Sequence, residues 1–543
     1  MELNDNGVKV SRTASDISAS SSSDELTASS SDSCVTIGSI NGNTITLNGG
    51  ASVGSSTITV SYGSHTATCS ASVVVTPTET SVANANPDTT LFETNYGKID
   101  VIWLKGTGSS TSDVTNTPNG PVYGTGMSPV SWTEKATIGD DNVKWEESST
   151  ENYEYKVAEE KTDSKQSKWA NAKLRIGDID SYFVWIPRYA YRIIYYDKDY
   201  NTDATAKIVG YYDGWGMWKA EDGSVKYKLS DEDSTIETVE YNGNKYIVHP
   251  AFCNGTTDGY GNGQWSSALK GFWVAKYEMS RSTSTGTSTD SSSTWDGVTF
   301  RSIPGVSSAR SITIGNMYTV SKAFNTANKS HLMKNSEWGA VAYLAHSQYG
   351  RNGFEVDINN SSYYITGNGS NSTTTTTTTA GVENAYNTEI GAHASTTGNV
   401  YGVYDMSGGA YEYVATFNSK DYHGIYTIYA TSFATTTNPA SDEYVTLYDN
   451  QTASYSGHKT IFDVGKVGDA TKEVSLTGQD SSTSATTRNN WYSDEPKICC
   501  SDYPFFKRGG SYKSGSSAGV FCSHNGLGDS YSNIHSFRAV LCP

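Results

Sequence analysis

Short aromatic-rich apolar runs separated by long polar segments constrain the fold of this chain most. From residue 96 onward such runs include 99–104, 182–196 and 246–252, which we interpret as strands, the second of them interrupted at Pro187. Tyr (38 residues) and Gly (51 residues) are abundant, while charged residues make up only 18% of the chain. This composition favours many short strands and long loops over helices. One helix is predicted near 336–347, where apolar residues follow helical spacing.

The composition changes along the chain predict four segments. Residues 1–33 are rich in Ser, Asp and Thr and are predicted to be a disordered polar linker. Residues 34–77 alternate apolar and polar side chains between Asn-Gly and Gly-Gly turns, which predicts a small antiparallel β domain. Residues 78–95 are interpreted as a second linker, and 96–543 as one large domain.

Charge and hydropathy argue against two classes of partner. The net charge of −18 repels phosphate backbones, and we find no basic patch, so no nucleic-acid partner is expected. No apolar run is long enough to span a bilayer, so we expect no membrane span in this chain. Residues 1–26 also lack the pattern of a secretory signal.

The seven cysteines lack the paired spacing of a zinc site, so no metal ligands are predicted among them. One interpretation has a Cys34–Cys69 disulfide and a second disulfide from Cys499 or Cys500 to Cys522 or Cys542. The other has unpaired buried thiols. The sequence leaves both open, and an odd number leaves at least one cysteine unpaired in the monomer.

Four segments, in chain order, resemble the motifs of one family. They are GFWVAKYEMS at 271–280, HLMKNSEWGAVAYL at 331–344, NVYGVYDMSGGAYEYV at 399–414, and the pair KRGGSY at 507–512 and SFRAVL at 536–541. They are similar to the motifs of formylglycine-generating-enzyme-like domains, which have a C-type-lectin fold. The resemblance implies an α+β fold class. The preceding β domain resembles a bacterial immunoglobulin-like repeat, so the expected architecture is a C-type-lectin fold preceded by a small all-β immunoglobulin-like domain.

The enzymes of that family carry two reactive, copper-binding cysteines just after Arg-Gly-Gly-Ser. Here residues 512–520 read YKSGSSAGV, without a cysteine. Thiolate chemistry needs a thiol, so we expect no enzyme activity and assign no catalytic residue. A hydrolytic set of Ser523, His524 and Asp529 has only sequence proximity in its favour.

Four charged residues within the family motifs allow two interpretations. Glu337, Asp405, Glu412 and Arg538 suit paired carboxylates with a cation, as in acid and base catalysis. We favour a buried hydrogen-bonded network that holds loops in place, because buried polar groups must be satisfied.

The closing segment carries a second resemblance, to the variable regions of proteins diversified by retroelements. The stretch Cys522–His535 is a mixture of Asn, Ser, Tyr, His, Asp, Gly, Ile and Leu, which adenine-directed mutagenesis produces. The resemblance implies a variable region at 511–535 on an exposed face; an ordinary Ser/Gly/Asn loop is the alternative. The implied ligand-binding residues are Tyr512, Ser514, Ser516, Ser517, Cys522, Ser523, His524, Asn525, Leu527, Asp529, Tyr531, Asn533, Ile534 and His535.

Together these features predict a display protein that binds a protein or glycan on another cell or particle. Tyr, Ser and Asn suit such recognition because they combine contact area with adaptable hydrogen bonds. The expected location is extracellular, on a cell surface or on a virion. The alternatives are a structural or receptor-binding part of a phage tail or pilus, and an oxidase of the formylglycine-generating type. No cofactor is expected, although family members often hold structural calcium. For that ion the segment 197–203 is the nearest candidate, without assigned ligands.

Overall fold

A computed structural model gives the fold of the chain. It describes residues 9–10, 26–33, 35–41, 44–49, 54–73, 97–135, 144–157, 167–196, 208–212, 217–220, 225–228, 236–255, 265–286, 295, 297–370, 384–418, 429, 443–448, 464–474, 490–529 and 533–543. The chain divides into two compact units, Met1–Asn84 and Ala85–Pro543.

The first unit is built of strands alone within its described residues. Its strands are β1 (Lys9–Val10), β2 (Leu26–Ser30), β3 (Val35–Asn41), β4 (Thr44–Gly49), β5 (Gly54–Tyr62) and β6 (His65–Val73). Four of them form a sheet in the order β1-β6-β5-β2, and β3 pairs with β4. Val35 and Ile58 form the centre of a small apolar core. Strand β2 falls inside residues 1–33, which we predicted to be a disordered linker. It pairs with β5 along its whole length, and its side chains alternate between partly buried and exposed.

The second unit holds most of the strands. They are β7 (Gly97–Leu104), β8 (Val114–Thr115), β9 (Met127–Lys135), β10 (Lys144–Ser148), β11 (Asn171–Ile176), β12 (Ile179–Pro187), β13 (Tyr189–Tyr196), β14 (Ile208–Tyr212), β15 (Met217–Ala220), β16 (Val225–Lys228), β17 (Thr238–Tyr241), β18 (Asn244–Val248), β19 (Gly271–Ala275), β20 (Ser280–Arg281), β21 (Phe300–Arg301), β22 (His331–Leu332), β23 (Tyr411–Tyr413), β24 (Thr416–Asn418), β25 (Thr446–Tyr448), β26 (Phe505–Gly509), β27 (Gly519–Gly526), β28 (His535–Ser536) and β29 (Ala539–Leu541). The apolar run 182–196 is divided between β12 and β13 at Pro187, where we predicted an interruption.

Three α-helices occur among the described residues: α1 (Ile314–Phe324), α2 (Asn335–His346) and α3 (Glu389–Ala392). The α+β fold class that we predicted is wrong, because strands make up 40% of the described residues and helices 14%. The helix predicted at 336–347 is α2, and every one of its side chains is buried. The physical reason for the error is that the Tyr-, Thr- and Val-rich runs pair as strands around that helix instead of alternating with further helices.

Two large sheets and one apolar core organise the second unit. One sheet has the order β10-β9-β11-β12-β19-β29-β22, and the second contains β7, β8 and β13–β18. In the first sheet Trp185 lies opposite Trp273, and Trp273 lies opposite Leu541. Trp338 of α2 is fully buried in the same core and donates a hydrogen bond from Nε1 to the carbonyl of Val520 at 2.8 Å. The C-terminal residues are therefore part of the core of this unit.

A smaller sheet near the C-terminus carries the candidate site. Its strand order is β27-β26-β23-β28, with β28 parallel to β23 and the other neighbours antiparallel. The pairing shifts by a bulge at Arg508/Gly509. Strands distant in sequence thus meet side by side, which brings residues 411–413 next to 505–509 and 535–536.

Candidate ligand-binding site

Successive side chains along the strands of the C-terminal sheet point to opposite faces, and the two faces have different surroundings. Lys507 lies directly opposite His524 on one side and Tyr413 on the other, so these three side chains share one face. On the opposite face Arg508 lies between Glu412 and Ser523 in the same way. The first face borders a pocket, and the second belongs to a buried network.

The pocket has a volume of about 490 Å³. It is lined by Tyr413, Tyr503, Lys507, His524, Asn525, Gly526, Leu527, Asp529, Asn533 and His535. Most of these side chains offer hydrogen-bonding groups, and they include one ammonium, one carboxylate and two imidazoles. A concave site of this size with converging polar groups is typical of small-ligand recognition.

The structure brings part of the predicted binding set together. Six of its members line the pocket: His524, Asn525, Leu527, Asp529, Asn533 and His535. The others that are described lie away from the pocket lining: Tyr512, Ser514, Ser516, Ser517, Cys522, Ser523 and Ile534. Tyr531 lies outside the described residues.

We expected the binding set to be largely exposed, and for several of its members this is wrong. Tyr512 is 8% exposed, Asn525 1% and His535 7%. Asn533 is exposed, and His524 and Asp529 are partly exposed. Strands β27 and β28 lie at the two edges of the small sheet, yet all their residues except His524 are buried.

Among the remaining members Ser517, Cys522 and Ser523 are buried, whereas Ser514, Ser516, Leu527 and Ile534 are partly buried. The neighbouring apolar residues Phe521, Phe537 and Val540 are 0% exposed and belong to the core. Within this segment, the residues that line the pocket are therefore the ones that a ligand in the pocket could contact.

Lys507 and His535 lie against each other at the wall of the pocket. The Lys507 ammonium donates a hydrogen bond to Nε2 of His535 at 3.3 Å, and it lies 4.8 Å from the centre of the Tyr411 ring. Burial, together with nearby Lys497, lowers the pKa of Lys507 to about 8, while Glu495 opposes this shift. Burial and the Lys507 charge hold the pKa of His535 well below its usual value, so its imidazole is neutral.

On the other side of Lys507, hydrogen bonds hold the His524 imidazole in one tautomer. Its Nε2 accepts a hydrogen bond from the Lys497 ammonium at 3.0 Å, and its Nδ1–H donates to the carbonyl of Asn525 at 2.6 Å. Lys497 is also paired with Glu495 at 2.7 Å. Burial, Lys507 and Lys497 together hold the pKa of His524 well below its usual value. Both imidazoles of the pocket are therefore neutral in the absence of an anion.

Sequence reasoning missed Lys507, Tyr413 and Tyr503 as members of the site. Lys507 opens the Lys-Arg-Gly-Gly-Ser motif, which we assigned to the family core, and Tyr413 lies in another core motif. A signal was present: in a strand, Lys507 and Arg508 point to opposite faces, so one of the two had to leave the core side of the sheet. For Tyr503 the sequence offers no comparable signal.

The charged residues on the opposite face form a buried network, as we favoured. Arg538 forms two hydrogen bonds with Glu412, and Asp405 accepts hydrogen bonds from Asn359 Nδ2 at 2.7 Å and from the Gly367 amide at 2.9 Å. Glu412 is 1% exposed and Asp405 0%. Glu278 joins this group, and burial with the neighbouring carboxylates raises its pKa well above the usual value. Glu337 lies outside the network and accepts hydrogen bonds from His331 and the Lys334 amide.

The geometry offers no catalytic set at the residues that the sequence singled out. Ser523 is fully buried on the face opposite His524, and both ring nitrogens of His524 are engaged by Lys497 and Asn525. The cysteines Cys253, Cys499, Cys500, Cys522 and Cys542 are buried and none of them is in a disulfide, so the disulfide that we considered among the last four is not formed. Burial raises the pKa of Cys522 well above its usual value, which leaves it protonated and unreactive. Cys34 lies outside the described residues.

One group among the described residues has metal-ligand character. Atoms of His331, Glu337 and Cys542 lie within 4.8 Å of one another. The carboxylate of Glu337 already receives His331 Nε2 at 3.0 Å and the Lys334 amide at 2.8 Å, and it thereby caps the start of α2. We assign no ion to this group. The calcium candidate at 197–203 lies outside the described residues.

Two comparisons with known proteins add no relative. No protein-family model matches the chain, and no curated protein matches it significantly. Within the described part of the chain, no helix has both the length and the apolar character that crossing a membrane requires.

Proposed function

We propose that this protein binds a ligand through the pocket of its C-terminal sheet and acts without chemistry, as a display protein on a cell surface or virion. One observation carries the proposal. Six residues of the segment that resembles a retroelement-diversified region converge on one pocket, although the sequence could not place them together. Recognition needs such convergence of adaptable polar groups on a concave surface.

The burial of the segment refines which positions would vary. A scaffold accepts different side chains only where packing does not constrain them. Leu527, Asp529 and Asn533 line the pocket and are at least partly exposed, whereas Cys522 and Ser523 are buried. Diversification would therefore be concentrated at the first three positions.

Sequencing the flanking DNA and a population of closely related chains tests this proposal. We expect a template repeat beside a reverse transcriptase gene, and substitutions concentrated at the codons of Leu527, Asp529 and Asn533. Substitutions spread evenly over the segment, including Cys522 and Ser523, would argue for an ordinary loop.

A binding assay gives a second, independent test. The wild-type chain and a Leu527→Ala, Asp529→Ala, Asn533→Ala variant are applied to a glycan array and to a panel of cells. We expect the variant to lose the binding of the wild type. The matched control is the variant Tyr363→Ala, Ile390→Ala. Both side chains are exposed and lie outside the pocket lining, so this variant should keep the binding of the wild type. Equal binding by the pocket variant and the wild type would exclude the pocket as the site.

A further inference from the structure

The pocket contains a buried ammonium that lacks a close anionic partner among the described residues. Lys507 is 7% exposed, and its described hydrogen bond goes to a neutral imidazole, that of His535. None of the ion pairs between described residues includes Lys507. Glu495 and Asp529 act on it only as more distant charges. A buried cation without an adjacent anion is unfavourable, so this wall of the pocket is complementary to an anionic group.

A second donor lies at the same wall. Nε2 of His535 accepts from Lys507, so the proton of the neutral ring is on Nδ1. This Nδ1 is buried and has no hydrogen-bond partner among the described residues. A buried donor without a partner is uncommon in folded proteins and indicates a missing acceptor. Lys507 and His535 both line the pocket and together provide N–H donors for one carboxylate.

The rest of the lining suits a polyhydroxylated ring. The amide of Asn533 and the carboxylate of Asp529 offer both donors and acceptors, and Tyr413 and Tyr503 add aromatic surface. Asp529 would repel a second carboxylate, as in an acidic peptide, but it accepts hydrogen bonds from hydroxyl groups. The volume of about 490 Å³ lies within the range of small-ligand sites.

We propose that the pocket takes an acidic saccharide, a sugar residue whose carboxylate contacts Lys507 and His535 while its hydroxyl groups contact Asn533 and Asp529. This inference rests on the proposed ligand-binding function and names its ligand class. The depressed pKa of Lys507, which burial causes, agrees with it, because an anion at this wall would favour the charged ammonium. The other charged or titratable groups near this wall are Lys497, Glu495, Asp529, His524, Tyr411, Tyr413 and Cys522.

The first arm of the test compares two probes that differ only in charge. Methyl β-D-glucuronide and its neutral amide are titrated into the full chain and followed by ligand-observed NMR at slightly acidic pH. We expect the acid to bind tighter than the amide by about tenfold or more, since a charge-assisted hydrogen bond is stronger than a neutral one. Equal binding of the two probes would overturn the acidic ligand but leave the ligand-binding function standing.

The second arm locates the carboxylate. Lys507→Met removes the ammonium and keeps most of the side-chain volume, and it should abolish the preference for the acid. The matched control is Lys513→Met, at an exposed lysine of the same segment that is not part of the pocket lining, and it should keep the preference. Thermal melting checks folding. If Lys507→Met does not fold, His535→Phe removes the second donor and should reduce the preference. An undiminished preference in the folded variant would overturn the inference.

The remaining outcomes separate this inference from the proposed function. Binding of an Asp-Glu dipeptide without binding of either sugar would overturn the saccharide and support a peptide ligand. If the glycan array and the cell panel also show no binding by the wild type, the proposed function itself fails. Binding of neutral glycans that depends on Leu527, Asp529 and Asn533 would overturn only the acidic class.

Discussion

Arg538 holds Glu412 by two hydrogen bonds, Nε to Oε2 at 2.8 Å and Nη2 to Oε1 at 2.5 Å, and both side chains are buried. The same guanidinium donates to the carbonyls of Ala275 and Tyr404, each at 2.9 Å. One arginine therefore connects the last strands of the chain with the large sheet and with the loop before β23.

Replacing Arg538 by Met should destabilise the protein strongly, by about 3–5 kcal/mol, because Glu412 is then left as a buried charge without a partner. Urea unfolding followed by Trp fluorescence measures the loss. The double variant Arg538→Met, Glu412→Gln should recover part of it, since no ionised carboxylate remains at that position. A single variant as stable as the wild type would show that the pair contributes little.

Trp338→Ala should cost about 3–5 kcal/mol, because the indole is fully buried in the core and its removal leaves a cavity. It also removes the hydrogen bond to the Val520 carbonyl, which joins α2 to β27. The matched control is Tyr363→Ala, at a side chain that is 55% exposed and should change stability by less than about 0.5 kcal/mol. An unchanged melting temperature for Trp338→Ala would contradict the burial.

Glu473 should make stability depend on pH. Its carboxylate is buried and receives hydrogen bonds from the hydroxyls of Tyr191 (2.7 Å) and Tyr343 (2.8 Å). Burial raises its pKa from 4.5 to about 7. A group with a raised pKa in the folded state stabilises most below its unfolded pKa, and this contribution is lost as pH rises through the folded pKa.

The wild type should therefore lose about 3 kcal/mol, relative to Glu473→Gln, between pH 4.5 and about 7 and little more above that range. The Gln variant cannot ionise and serves as the reference for all other titrating groups. The measurement is the free energy of unfolding of both proteins across this range. A difference that stays constant with pH would show that Glu473 titrates normally.

The sequence predicted local features better than long-range ones. The helix α2 followed from the spacing of Trp338, Val341 and Leu344, and the break between β12 and β13 followed from Pro187, because both depend on neighbours in sequence. The helix α1 was missed, since Ser321 interrupts its apolar stripe of Ile314, Met317 and Tyr318.

The candidate site was predictable only in part, because it is built from strands that are distant in sequence. Residues 524–535 were recognised from their mixture of residue types, but strand pairing alone places Lys507 beside His524 and Tyr413. Register between strands that are nearly a hundred residues apart depends on tertiary packing, which a periodic pattern does not contain. Exposure was also overestimated, because tertiary packing buries polar residues such as Asn525 although their strand lies at a sheet edge.

Single replacements at the pocket should separate positions that can vary from positions that cannot. Asn525 is 1% exposed and donates from Nδ2 to the Ile498 carbonyl at 3.1 Å, so Asn525→Ala leaves a buried acceptor unpaired and should cost about 1–3 kcal/mol. Asn533→Ala, at an exposed side chain of the same pocket, should change stability by no more than about 0.5 kcal/mol. Thermal melting of the two variants measures the contrast. Equal destabilisation would mean that the pocket rim is as constrained as the sheet beneath it, and diversification of Asn533 would then be incompatible with folding.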